Sequence, residues 1–452
     1  MPSMSRARFR SIGVILSVAL AGAAGCSRPP ALSRPDGGAT GDGATAVAHD
    51  GPIAPTDGGS SYGDSAADAV ITVDVTTPID ASTETSDVAD ARLDAADAPP
   101  SLAPNQYRAI AIVMGRLHTC ALLDDHRVKC WGDNGYGQLG LGDRIPRGSD
   151  PASMGDALPT VDLGTGRTAK SLAAGRYATC AILDDDEFKC WGLSSLAVPG
   201  GTSTGDVGAA PGEMGDSLRP IDLGMGRKAI AAAIGFGEAC AARDDGSFLW
   251  WNTSNVSAEV AAPSDGARVV QLASDYGAVG LFDDGSVRQI FGGSPSGPTP
   301  VDFGGRPATF VAGMSSPDDG DCAILRGGGT ACTWDQNNPS VPTDASVVDI
   351  AITEYGHACG IDSTGVVTCW NLPLGASDPQ WANRPGDTTA RVVRLGQPAT
   401  SLRAGDYNEC ALLENGTVKC WSIDGPFPDS LGGSVATATG WPAVDLGTRP
   451  AP

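Results

Sequence analysis

The stretch His118-Thr-Cys-Ala-Leu-Leu-Asp-Asp-His-Arg-Val-Lys-Cys-Trp-Gly132 constrains this chain more than any other. It predicts two short strands around a tight turn, with one cysteine on each strand. The pattern returns at Cys180–Gly192 and at Cys410–Trp421. Weaker copies start near Cys240, Val279, Cys322 and Cys359. The Val279 copy has no cysteine but keeps the turn, Leu281-Phe-Asp-Asp-Gly-Ser-Val287. Seven copies of about 50 residues over Gln106 to Pro452 fit a ring of four-stranded blades, a β-propeller. The 61 glycines and 33 prolines suit many short strands and turns and are too many for a helical protein.

Two further marks recur. Val161-Asp-Leu-Gly164, Ile221-Asp-Leu-Gly224, Val301-Asp-Phe-Gly304 and Val393-Arg-Leu-Gly396 read as an upstream strand in each copy. A glycine five residues before the cysteine (Gly115, Gly175, Gly235, Gly405) predicts either a positive φ or a close approach of two backbones. Ser274 and Glu354 hold that place in two copies, so those turns differ. The first copy lacks the upstream strand and the last is followed by a spare one, Val444-Asp-Leu-Gly447. The expected fold is therefore all-β, a seven-bladed propeller whose first blade is completed by the C-terminal strand.

The first copy continues Trp131-Gly-Asp-Asn-Gly-Tyr-Gly-Gln-Leu-Gly140. With the preceding Cys-Ala-Leu-Leu and Val-Lys-Cys, this resembles the regulator of chromosome condensation repeat family. The resemblance spans roughly 345 residues and implies a seven-bladed propeller. The other copies lose the full tail, which leaves their loop conformations open. The family's eukaryotic founder acts on a small GTPase in the nucleus. That activity is not expected in a chain addressed outside the cytoplasm.

The N-terminus supplies the address. Arg6, Arg8 and Arg10 precede a short apolar run, Ile12 to Ala24, below the roughly 20 residues that span a bilayer. This reads as a secretory signal. It ends in Ala23-Ala-Gly-Cys26, which resembles a bacterial lipoprotein processing site. The resemblance implies a signal over residues 1–25 and lipid on Cys26; an ordinary signal with an incidental Cys26 is the other reading. Ser27 replaces the aspartate linked to inner-membrane retention, so the expected place is the outer membrane or cell surface. Residues 26–105 are rich in Ala, Asp, Gly, Pro, Ser and Thr, and bury too little apolar surface to offset chain entropy. They read as a disordered tether with a reach of roughly 50 Å.

Five cysteine pairs share one spacing: Cys120 with Cys130, Cys180 with Cys190, Cys322 with Cys332, Cys359 with Cys369 and Cys410 with Cys420. A hairpin sets each pair opposite, at about 4.5–5.5 Å between Cα atoms, within disulfide reach. Zinc is the competing reading, but the chain has only four histidines. Cys240 faces Trp250 at the matching place and is expected to be unpaired.

No nucleophile elbow, phosphate loop or metal-ligating histidine pair is present, so neither catalysis, cofactor nor metal is expected. The recurring Asp-Asp pairs (124–125, 184–185, 244–245, 283–284) fall in turns. His118 and His357 sit just before the repeat cysteine, which points to structural duty. Trp131, Trp191, Trp370 and Trp421 read as packing between blades. A net charge of -23 argues against nucleic acid. Long insertions at Gly192–Arg219, Asn371–Ala390 and Ser422–Gly440 project from one side of the ring. Asp133, Asn134, Tyr136, Trp381 and Phe427 are the candidate contacts. The expected function is a lipid-anchored, monomeric module that binds a protein or glycan and meets the membrane only through its lipid. An inhibitor of a secreted enzyme and a polysaccharide lyase or hydrolase are the alternatives.

Overall fold

The structure, a computed structural model, describes residues 102–199, 205–274, 277–290, 297–312, 322–332, 347–353, 357–371, 391–422 and 442–449. The chain divides into two units, one of which (residues 30–92) lies wholly outside the described residues, as do the signal, Cys26 and most of the expected tether.

Among the described residues the strands form seven antiparallel sheets. The first holds β1 (Ala109–Met114), β2 (His118–Leu123) and β3 (Val128–Gly132), and the second β4 (Ala169–Ala174), β5 (Ala178–Leu183) and β6 (Phe188–Gly192). The third holds β7 (Ala229–Ile234), β8 (Glu238–Arg243), β9 (Phe248–Asn252) and β10 (Ser257–Val260). The fourth holds β11 (Val269–Ser274), β12 (Ala278–Phe282), β13 (Val287–Ile290) and β14 (Thr299–Val301). The fifth holds β15 (Ala308–Ala312), β16 (Cys322–Leu325) and β17 (Thr330–Cys332). The sixth holds β18 (Val347–Ile352), β19 (His357–Asp362), β20 (Val367–Asn371) and β21 (Arg391–Val393), and the seventh β22 (Ala399–Ala404), β23 (Asn408–Leu413) and β24 (Val418–Ser422). First strands touch in sequence, β1 to β4 and on through β7, β11, β15, β18 and β22, and β22 touches β1 again. This is a seven-bladed β-propeller.

The apolar core is distributed among the gaps between sheets. Trp191 packs with Val128 and Leu139 of the first sheet's chain, Trp370 with Cys322 and Ile324, and Trp421 with Ile361 and Val367. The expected role of these tryptophans between blades is what the packing gives.

All five cysteine pairs are directly opposed and disulfide-bonded. Cys120 is bridged to Cys130 with Cα atoms 4.1 Å apart. Cys180 to Cys190, Cys322 to Cys332, Cys359 to Cys369 and Cys410 to Cys420 each span 4.0 Å. These spans are shorter than the expected 4.5–5.5 Å. The reason lies in the ladder: Leu123 N–H bonds Arg127 O, and counting back in steps of two leaves Cys120 and Cys130 as a non-hydrogen-bonded pair, where antiparallel strands come closest. Leu413 and Thr417 set the same phase for Cys410 and Cys420. Disulfides persist in oxidising compartments, so the folded chain belongs outside the cytoplasm. No helix among the described residues is long and apolar enough to cross a membrane. Cys240 does face Trp250, but its sulfur is engaged rather than free. The expectation of an unpaired thiol there is corrected.

The Asp-Asp pairs serve the turns. The second aspartate accepts an N–H two residues on: Asp185 from Glu187 at 3.1 Å, Asp284 from Ser286 at 2.7 Å. The first reaches the preceding strand, as Asp184 does to Thr168 N–H at 3.1 Å.

The Val-Asp-Leu-Gly stretches are placed differently from expectation. Each lies along the free edge of the sheet before it. Val161 N–H donates to Val128 O in β3 at 2.8 Å and Ile221 N–H to Phe188 O in β6 at 2.7 Å, while β14 and β21 pair with β13 and β20. Val444 follows the rule and donates to Val418 O in β24 at 2.8 Å. It therefore extends the last sheet, not the first. The next residues reach the start of the propeller: Tyr107 N–H donates to Gly447 O at 3.1 Å, and Arg449 N–H to Asn105 O at 2.7 Å. Lys129 Nζ bonds Leu446 O and Gly155 O, both at 2.8 Å, as Lys189 Nζ bonds Leu163 O and Gly215 O at 3.0 and 3.2 Å.

Candidate functional site

The glycine before each cysteine sets where the first strands converge. A Cβ on Gly115 would meet Gly175 O at 2.1 Å, one on Gly175 would meet Ile234 O at 2.5 Å, and one on Gly405 would meet Gly115 O at 2.8 Å. None of these glycines has a positive φ. Close backbone approach, rather than unusual dihedrals, is what excludes a side chain there. The residue following each glycine is thereby pushed into the mouth of the ring.

That mouth is an open cavity of about 80 Å³. It is lined by the ends of β1, β4, β7, β11, β18 and β22 and by the turns that follow. Its described ionisable lining residues are Arg116, Arg176 and Asp406. Arg116 is paired with Asp406 and also donates to Tyr177 Oη at 3.2 Å. Arg176 lies across two rings, with its guanidinium carbon 3.2 Å from the Phe236 centroid and 4.9 Å from that of Tyr177. Arg176 Nε is shielded from solvent and has no hydrogen-bond partner. Tyr177 in turn meets Tyr136, ring centroids 4.5 Å apart. Arg116, Tyr136, Arg176, Tyr177 and Phe236 are all half-buried.

One of the expected contacts, Tyr136, neighbours this group. Tyr136 does not line the cavity but packs on Tyr177 beside it, while Asp133 and Asn134 are consumed by the loop itself. Asn134 is fully buried, donates to Asp143 O at 2.8 Å and Ile145 O at 3.2 Å, and accepts from Leu139 N–H at 3.0 Å. Asp133 accepts from Gln138 Nε2 at 2.7 Å. Gln138 O receives both Thr179 Oγ1 and Trp191 Nε1 at 2.9 Å, so this loop ties the first blade to the second. Trp381 and Phe427 lie outside the described residues. Arg116, Arg176 and Phe236 were missed, although aligning the copies on their glycines puts all three at one position.

Residues 109–138 match the Regulator of chromosome condensation (RCC1) repeat. The match falls on the first copy and ends within the Asn134–Gly140 loop. Among solved structures, the chain is similar to the CRINKLY WD40 ectodomain of the Arabidopsis thaliana receptor kinase ACR4, at 19% identity and TM-score 0.46, over 72% of this chain and 98% of that one. It is similar to Prp20p from Saccharomyces cerevisiae at 14% identity and TM-score 0.36, covering 74% and 76% of the two chains. It is also similar to YCF48, in a structure with a D1 peptide, at 11% identity and TM-score 0.42, covering 71% and 94%. No partner is carried over from likenesses this distant.

A second polar cluster sits between the sixth and seventh blades. Nδ1 or Nε2 of His357, Sγ of Cys359 and Cys369 and a carboxylate oxygen of Glu409 lie within 4.8 Å of one another. Both sulfurs belong to a disulfide, so they offer no thiolate to a metal. Glu409 Oε2 lies 2.7 Å from Cys359 Sγ, 2.8 Å from Trp421 Nε1 and 3.2 Å from His357 Nδ1. Burial pushes the Glu409 carboxyl above the usual carboxylate range. His118 occupies the matching place in the first blade, where burial lowers it to about 4 and Nε2 lies 2.8 Å from Thr179 Oγ1. Both histidines serve blade junctions.

Proposed function

We propose that this chain is a non-catalytic binding module that holds a protein partner at the mouth of its propeller, displayed from the cell envelope on a lipid anchored at Cys26. In this reading residues 1–25 are a signal, 26–105 a tether and 106–452 the binding domain. The observation that carries it is the convergence of Arg116, Arg176 and Phe236 on one opening, with Tyr177 against both arginines and Tyr136 behind it. Tyrosine, phenylalanine and arginine are the residue types that anchor interfaces, because they give large contact area with few rotamers to freeze. The described lining has one carboxylate, Asp406, already paired with Arg116. Glycoside hydrolysis uses a pair of free carboxyl groups, which favours binding over turnover.

The test is capture by the full-length chain from the surrounding envelope or medium, comparing wild type with Tyr177→Ala. Loss of a captured partner in the variant supports the reading; equal capture moves the contact surface elsewhere. The anchor is tested with Cys26→Ser, expected to release the chain from membranes. Lipid on Cys26 and a disulfide from Cys26 exclude each other, because a lipidated sulfur is a thioether, so intact mass of the mature chain reports which of the two is present. Membrane retention of the variant rejects the anchor.

A further inference from the structure

We propose that Arg176 is the receptor for a carboxylate group of a peptide, a proposal that rests on the binding reading above and names the chemistry at its centre. The whole chain carries a net charge of -23, yet the mouth holds two arginines against one described carboxylate. Arg116 is satisfied by Asp406. Arg176 has no ion pair among the described residues, and its Nε has no hydrogen-bond partner. Contact with the Phe236 and Tyr177 rings restricts the guanidinium before anything binds. A planar, pre-oriented fork with unused donors matches a carboxylate, which accepts two parallel N–H bonds. Leaving a shielded donor unpaired is costly, and a ligand oxygen removes that cost.

The cavity sets the size of what enters. About 80 Å³ accommodates a carboxylate and a little more, far below the roughly 300 Å³ and upward of a small-molecule pocket. The group is therefore the tip of a larger chain lying across the mouth. Two observations favour peptide over acidic polysaccharide. The amides and carboxylate nearest the aromatic pair are taken up within their own loop: Asn134 by Asp143 and Ile145, Gln138 by Asp133 and by Tyr136 N–H. Sugar hydroxyls would find few side-chain partners there. The surrounding negative charge also repels a polyanion more than a peptide with a single acidic tip.

The experiment follows the Arg176 Nε–H resonance of the full-length chain. The probes are N-acetyl-Ala-Ala with a free carboxylate, the same dipeptide as its amide, and oligogalacturonate. A saturable shift with the acid and none with the amide is expected. Arg176→Lys keeps the charge but loses the planar fork, and should weaken the acid by about tenfold or more, followed by calorimetry. No shift, an equal shift with the amide, or an unweakened lysine variant overturns the proposal. Tighter binding of oligogalacturonate than of the dipeptide overturns the choice of peptide. If Arg176→Lys captures a macromolecular partner as well as wild type while Tyr177→Ala does not, the binding reading stands and the carboxylate proposal alone falls.

Discussion

Glu238 in β8 shows how much one buried acid shapes this molecule. Its side chain is almost fully buried, and burial pushes its carboxyl up to about 7 against the lowering effect of the bond from Trp250 Nε1 at 2.6 Å. The folded value thus exceeds the unfolded one of about 4.5. Its contribution to stability is full below the unfolded value and is lost as pH rises through about 7. The loss amounts to about 3 kcal/mol. Glu238→Gln is neutral throughout, so its melting temperature should gain on wild type between pH 5 and pH 8. A constant offset across that range would contradict the assignment. The same scale explains an error of reading. Asn134 looked like a contact because polar loop residues in a repeat tail often are. Only its four side-chain bonds within the loop reveal that it holds the turn together.

The hairpin was the element most legible in the sequence. A cysteine on each arm and an Asp-Asp or Asn-Gly turn fixed both register and partner, and Cys180 opposes Cys190 as the spacing requires. Replacing both Cys180 and Cys190 with alanine should lower the free energy of unfolding by about 2–3 kcal/mol, a loop-entropy figure for a ten-residue separation. An unmoved denaturation midpoint would show that this bridge carries no constraint. The outer strands were less legible. Val161-Asp-Leu-Gly164 comes just before the second copy, so proximity in sequence suggested the second sheet. The free edge of β3 decides instead, since an extended segment satisfies its backbone groups on the nearest unpaired ladder. One feature was legible only in hindsight. Each first strand shifts register once against its neighbour, as between Ala109 and Ala111 or Ala399 and Ser401, and the skipped residue is β-branched in every sheet but the second.

Across the whole molecule the sequence announced the ring but not its mouth. Seven copies and their period follow from repeated residues, whereas the opening is assembled from residues that differ from copy to copy: Arg116, Arg176, Phe236, Asp406. Only their convergence gives them a shared purpose. The join between the ends is a further property of the whole. Removing residues 443–452 deletes the bonds of Val444, Gly447, Arg449 and Lys129 described above, together with the buried Val444 and Leu446. That should cost on the order of 5 kcal/mol and broaden the calorimetric unfolding peak. A truncated chain that melts like the full one would contradict it. Thr165 bonds Asp216 through its hydroxyl at 2.6 Å, and Thr448 repeats the arrangement with Asp156 at 2.9 Å. The seam between the ends is thus built like an ordinary joint, and Arg449 already touches Asn105. Chain order around this ring is close to arbitrary: a gene permuted to begin at another joint, with the old ends spliced through a few residues, encodes the same circle.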